Sequence, residues 1–272
     1  MFRFAFAGCA VMIALPGFAF ELGSEIPDIR SAAPAELSAV SASGENACRA
    51  PGDLATIGGQ IAHDLGWQVL SELVVDGLAV VSFAGQTAPS TSGTCVVTDG
   101  NLGIFRGSTL LGLFYTDPTL TAQDGEPLAQ IGALEPAGPG RVRVLIGDQL
   151  ALPLGDLVVN AHEGATLEPV AASTEVCGAR AVPDIYGQPI LEARDLLGAA
   201  GWAPVPVPED ERDPGEFFAA NGITEVSHCA GSGMGYCGFN YRNDSGDTLF
   251  VVTGGDRAEY APVLRYEASC GS

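Results

Sequence analysis

Few residues in this chain are of a type and spacing suited to chemistry. Histidine occurs only at His63, His162 and His228, while serine and aspartate are plentiful. A Ser-His-Asp set can therefore be written around any of the three. Such triads are defined by mutual geometry, and composition alone singles none out. Each histidine is read as a structural or surface residue. Gly233-Met-Gly-Tyr-Cys-Gly238 has the glycine spacing of a dinucleotide-binding turn. That turn works where a strand runs into a helix whose N-terminus meets the phosphates. Here no helical pattern follows, and Cys237 lies inside the motif. The nucleophile-elbow and P-loop patterns do not occur. No catalytic residue is assigned and no cofactor is expected.

Two carboxylate groups could attract calcium: Glu209, Asp210 and Glu211 with Asp213, and Asn243 and Asp244 with Asp247. Neither has the spaced oxygen ligands and closing glutamate of an EF-hand loop. The first reads as a solvated loop and the second as a β-turn, so no metal site is expected. A carboxylate pair for glycoside cleavage needs two groups facing across a cleft, which spacing does not reveal.

The cysteines say more. The chain opens Met-Phe-Arg, and an apolar run follows from Phe4 to Leu15. Pro16 and Gly17 end the run, and Gly17-Phe18-Ala19 places small residues where a signal peptidase reads. This predicts a signal peptide over residues 1–19, cut after Ala19 and too short to span a bilayer. Cys9 leaves with it. Six cysteines remain, and an even set in an exported chain reads as a disulfide framework. Cys229 and Cys237 flank a Gly-rich run at the inner ends of two predicted strands, so a hairpin pairs them. Cys177 and Cys270 bracket the C-terminal part and pair its entry with its exit. Cys48 and Cys95 are left to each other. A zinc site is disfavoured because no C-x-x-C pair occurs and only His228 neighbours a cysteine.

Charge narrows the partners. The chain carries 12 basic and 33 acidic residues, a formal net charge of −21, and every basic residue is arginine. Such a field repels nucleic acid and anionic lipid and attracts cationic proteins. It also favours solubility on its own account. No further stretch has the length of a membrane span, so the predicted location is the periplasm or the exterior.

The elements that must position these residues are mostly strands. Residues 20–47, rich in Ala, Ser, Glu and Pro, read as a flexible leader. Asp53 is placed to cap a short helix with Leu54, Ile57, Ile61 and Leu65 on one face. From Trp67 to about Val170, short apolar runs are parted by Asp76-Gly77, Asp99-Gly100 and Arg106-Gly107, which read as hairpin turns. Arg141-Val-Arg-Val-Leu-Ile146 alternates as a strand with one wet face. This predicts a small β-sandwich or barrel over residues 48–173. From 174 to 272 the pattern predicts an α+β domain with one main helix on an antiparallel sheet. The fold class is thus mainly β with α+β.

Residues 182–202 read strand, turn, helix, stop. Pro183 favours an extended start, Gly187 turns, and Pro189 opens a helix. Ile190, Ala193, Leu196, Leu197 and Ala200 form its apolar face, and Gly201 closes it before Trp202. Val182, Pro183, Asp184, Gly187, Glu192, Ala193, Arg194, Leu196, Leu197, Ala200 and Gly201 match in register the opening of a PASTA domain. The stretch resembles that βαββ module of bacterial penicillin-binding proteins and serine/threonine kinases over residues 182–202 only. The family's later Gly-x-Val and Pro-x-x-Gly features are absent. The resemblance implies a link to peptidoglycan. A similar echo joins Leu65-Gly66-Trp67 to Ala200-Gly201-Trp202.

The leading expectation is a non-enzymatic, exported binding or envelope-associated module, with peptidoglycan as one partner. The alternative is an acidic inhibitor or sequestering protein for a cationic secreted enzyme. A third is a hydrolase, which requires a cleft holding one of the three histidines beside a carboxylate and a serine.

Overall fold

The computed structural model describes residues 20–40, 53–90, 95–120, 129–148, 150–178, 180–211, 216–231, 233–255, 257 and 259–271. The predicted signal segment and Cys48 lie outside the described residues.

Strands dominate. One five-stranded sheet runs in the order β1 (Glu21–Ser24), β10 (Gly164–Glu168), β9 (Pro153–Asn160), β8 (Arg141–Ile146) and β7 (Ile131–Pro136). A second runs β2 (Ile29–Ala32), β6 (Thr109–Thr116), β5 (Cys95–Arg106), β4 (Leu78–Pro89) and β3 (Gln68–Val75). Their alternating apolar residues meet in one core, Val80, Ile104 and Phe114 from one sheet against Val142, Val144 and Leu157 from the other. β1 and β2 are consecutive and carry the chain from sheet to sheet, while β3 approaches β7 on the opposite side. The result is a sandwich joined at both sides.

The start of the predicted leader is therefore corrected. Glu21–Ser24 pairs in parallel with β10, and Ile29–Ala32 pairs antiparallel with β6. Ile29 is fully buried. These strands are too short for a period to show in the sequence, and the sheets they complete supply the order.

The Asp-Gly signals divide. Asp76 and Gly77 both have positive φ and join Val75 to Leu78 in a two-residue hairpin. Gly107, φ +57°, does the same after Arg106. Asp99-Gly100 is no turn. It lies inside the single strand β5, whose ladder with β4 continues on both sides and skips the Gly85/Asp99 position. Asp99 takes φ +56°, and a Cβ on Gly100 would lie 2.1 Å from the Ile131 carbonyl oxygen. The register is the same on either side, so one left-handed residue interrupts the pairing without inserting an extra residue. The start of the strand keeps its pairing with β4, and Val97 N also donates to Gly147 O at 2.7 Å.

The outer face of the second sheet is covered by α1 (Ile57–Asp64) over Trp67, Val81, Phe83 and Phe105. Its cap is Thr56, not Asp53: the Thr56 hydroxyl accepts from Gly59 N at 3.0 Å. Glu72 on β3 selects that start, because its carboxylate accepts from the amides of Ala55 and Thr56 and from the Thr56 hydroxyl. Of the predicted apolar face, Leu54, Ile61 and Leu65 pack against this core and Ile57 does not. Gly58, Gly59 and Ala62 are buried, whereas Ile57 is 55% exposed.

The C-terminal part opens with a hairpin of β11 (Ser173–Val176) and β12 (Arg180–Pro183). There follow α2 (Ile190–Ala199), β13 (Ala203–Pro204), a 3-10 turn at Glu209–Glu211 and α3 (Glu216–Ala220). The sheet runs β13, β15 (Cys237–Arg242), β16 (Thr248–Thr253), β17 (Val263–Ser269), with β14 (Val226–Cys229) also on β15. This is an α+β arrangement with one main helix. Ile190, Ala193 and Leu197 of α2 share a core with Trp202, Phe239 and Val251. Leu196 and Ala200 are exposed, which narrows the predicted apolar face. β12 pairs with β11 and not with the sheet that follows α2.

Gly66 and Gly201 end the two helices alike, at φ +92° and +85°. Trp67 N bonds Ala62 O and Trp202 N bonds Leu197 O, the five-residue closure of a helix C-terminus. Each indole N–H then finds a main-chain carbonyl, Ser38 O at 2.8 Å and Ala181 O at 3.0 Å.

Candidate binding cleft

β17 is the last strand of the C-terminal sheet, and beyond it a cleft of about 570 Å³ separates it from the β7–β8 end of the sandwich. Its walls include Glu135 to Gly138 on one side and Arg265 to Ala268 on the other, with Arg143, Thr174 and Tyr186 between. The Cys177–Cys270 bridge, with its Cα atoms 5.2 Å apart, also lines it.

Arg143 anchors the site. The alternation of β8 predicts a wet face for it, yet Arg143 is only 3% exposed. The C-terminal part covers that face. Nε donates to Asp156 Oδ1 at 2.9 Å and Nη2 to Asp156 Oδ2 at 3.2 Å, a forked pair from neighbouring strands. Nη2 also donates to Thr174 Oγ1 at 3.3 Å. Asp156 is itself fully buried and accepts from Ala171 N at 3.1 Å, so the pair ties down the segment leading into β11. The guanidinium lies 4.9 Å from the Tyr186 ring centroid, and the Tyr186 and Tyr266 rings are 5.1 Å apart.

The electrostatics hold these groups in fixed states. Burial works against the Arg143 charge, but the hydrogen bonds to Asp156 and the neighbouring Tyr186 oxygen raise its pKa above the ordinary guanidinium value. Burial, and then the nearby Tyr266, push the Tyr186 phenol up. Burial also raises the Asp184 carboxyl. Near neutral pH, Arg143 and Tyr186 are thus a standing cation and a standing hydroxyl. They offer donors and ring faces, with no proton to exchange. Glu135, Glu175 and Glu267 add negative charge around them, with Arg265 the further cation in the wall.

The residues singled out by sequence lie elsewhere. His63 is exposed on α1, His162 is exposed after β9, and His228 is exposed on β14, where its ring stacks on Phe250. None lines the cleft. The hydrolase expectation required such a cleft, and this one does not meet it. Asn243 and Asp247 bond each other and the amides of Ser245 and Gly271, forming a turn. Glu209–Glu211 is a short 3-10 turn, and Asp213 lies outside the described residues. Among the described residues no cluster of three metal-ligating side chains forms. The glycine motif at 233–238 leads into strand β15, not a helix.

Of the cysteines, Cys177 is joined to Cys270 and Cys229 to Cys237, the latter Cα atoms 4.1 Å apart across the hairpin. Cys95 is also disulfide-bonded, and its expected partner Cys48 lies outside the described residues.

Sequence reasoning missed Arg143, Tyr186 and Tyr266. Tyr186 was legible only as one of two apolar positions before Gly187. Arg143 was visible as a charge inside an apolar strand, a signal that reads equally well as solvent exposure. It missed a second cluster too. Glu225 is fully buried, and its Oε1 receives Arg194 Nε at 3.1 Å and the Tyr241 hydroxyl at 3.2 Å. Burial, then the Glu225 charge, raise the Tyr241 phenol. This cluster ties α2 to the sheet inside the C-terminal core. Among the described residues no helix is long and apolar enough to cross a membrane. Comparison of the chain with family models, curated proteins and solved structures finds no match.

Proposed function

We propose that this protein is an exported binding module that takes a cationic partner in the cleft beside β17. The observation that carries the reading is the cleft itself. Arg143, Tyr186 and Tyr266 converge there, Arg143 and Tyr186 in fixed protonation states, with three carboxylates around them. A volume of about 570 Å³ suits a ligand site. The net charge of −21 would draw a cation to it. The disulfides support an oxidising compartment, the periplasm or the exterior. The test is binding of a cationic secreted enzyme such as a lysozyme at low and high salt. Association should weaken as salt rises, and Glu135→Gln with Glu267→Gln should weaken it further. Salt-independent association, or none, would reject the cationic partner.

A second reading is an envelope module on peptidoglycan, favoured by the strand–turn–helix of residues 182–202 and its PASTA-like residues. Retention on purified peptidoglycan above a matched acidic control supports it, and no such retention rejects it.

A further inference from the structure

We propose that the occupant of the cleft is an extended, basic polypeptide segment that adds as a further strand along the free edge of β17. This rests on the cleft being the ligand site and specifies both the partner's chemistry and its mode of docking.

The backbone argument comes first. β17 pairs with β16 and closes the sheet on that side. On its outer side it bonds the chain at its first residue, where Val263 N donates to Gln188 O at 2.9 Å and Val263 O accepts from Gly187 N at 2.8 Å. Among the described residues no further main-chain bond forms on that side from Arg265 to Ser269. A strand edge of this kind presents N–H and C=O groups that an incoming extended chain can satisfy. The cleft runs along the same residues, Arg265 to Ala268, so the edge opens into a space and is not sealed by packing. Gly187 and Gln188 already begin such pairing, and an added segment would continue it.

The side chains fix the charge of the segment. Arg143 is committed to Asp156, so its charge is largely neutralised where it sits. Glu135, Glu175 and Glu267 then outweigh Arg265 along the walls. The Tyr266 ring, beside Tyr186 in the cleft wall, adds a surface for the alkyl stems and charged heads of lysine or arginine. Side chains alternate along an added strand, so basic residues at every second position would face the carboxylates on one side. A glycan lacks the regular main-chain amides that an open strand edge calls for.

The test uses the chain from Phe20 onward with its disulfides intact. The probe is a synthetic ten-residue peptide alternating lysine and valine. Two further peptides carry N-methyl groups at alternate residues, one for each register, which removes main-chain donors without changing charge. Affinity is read by calorimetry and protection by amide hydrogen exchange. The expected result is at least a tenfold loss of affinity for one N-methylated peptide, with slowed exchange confined to Arg265–Ser269. Glu267→Gln, at an exposed position, should weaken the parent peptide several-fold. If all three peptides bind alike and Glu267→Gln still weakens them, strand addition is overturned and the cleft reading stands. If the parent peptide binds but neither the Glu267 change nor the exchange pattern points to β17, both fall. Absence of peptide binding overturns the inference, and soluble peptidoglycan fragments protecting the same residues would then keep the cleft as the site of a different ligand.

Discussion

Arg143 and Asp156 are both withdrawn from water, and their forked contact repays that only while both are present. Arg143→Ala would leave a buried carboxylate with only Ala171 N at 3.1 Å and the long Arg141 contact at 3.9 Å. The expected loss is about 3–5 kcal/mol in urea unfolding. Arg143→Met combined with Asp156→Leu should recover most of it, since neither charge is then stranded. Acid behaviour follows from other carboxylates. The side-chain and then the backbone hydrogen bonds from Thr119 hold Asp117 below the ordinary value, with Arg30 adding to them. Bonds from Asn243 and then Gly271 do the same for Asp247. Their folded pKa values lie below the unfolded value of 3.8, so the unfolded chain protonates first as pH falls. Their contribution is complete above that value and is lost as pH drops through the folded pKa values. Asp117→Asn should therefore flatten the fall of the unfolding midpoint below about pH 4. Asp184 runs the other way: burial raises it, and its ionisation opposes folding as pH climbs from 3.8 through its folded value. At this scale the sequence misleads most about charges. Arg143 and Glu225 are buried, and nothing in their neighbours along the chain distinguishes them from solvated residues.

At the scale of elements, glycines and cysteines do the placing. Gly58 and Gly59 let α1 lie against the sheet: a Cβ would fall 2.6 Å from the Phe105 ring in one case and 2.0 Å from Glu72 Oε1 in the other. Gly58→Ala should cost about 1–3 kcal/mol by overpacking, read as a lower thermal midpoint. The two described bridges differ in loop length, 93 residues for Cys177–Cys270 and 8 for Cys229–Cys237. In the chain-entropy model, replacing the first pair by serines should cost about 4–5 kcal/mol and the second about 2–3. Denaturant midpoints of the two double variants test that order. Asp76-Gly77 and Asp99-Gly100 carry the same local signal and serve different ends, a hairpin and a one-position break in the pairing of a continuous strand. The dipeptide specifies a positive φ. Whether the ladder continues beyond it depends on strands distant in sequence.

For the whole molecule, a net charge of −21 repels itself as well as anions. Raising salt from low to physiological levels should raise the thermal midpoint by screening that repulsion, while it weakens a cationic partner. Opposite signs in calorimetry and in binding would separate the two effects. The mainly β fold, the helix at 190–199 and its glycine stop were legible because period, turn chemistry and capping are local. The pairing of Cys177 with Cys270 and of Cys229 with Cys237 followed from where predicted strands began and ended. The parallel docking of Glu21–Ser24 was not legible, nor was the burial of Arg143 or the open edge of β17. The first depends on how the sandwich closes on β10, and the other two on which surfaces meet when the sandwich and the C-terminal sheet come together. Local pattern was enough for α2, for most of the strands and for the two described bridges. The tertiary structure alone decided the cleft, because a cleft is made of residues as far apart as Glu135 and Glu267 whose proximity no local pattern encodes.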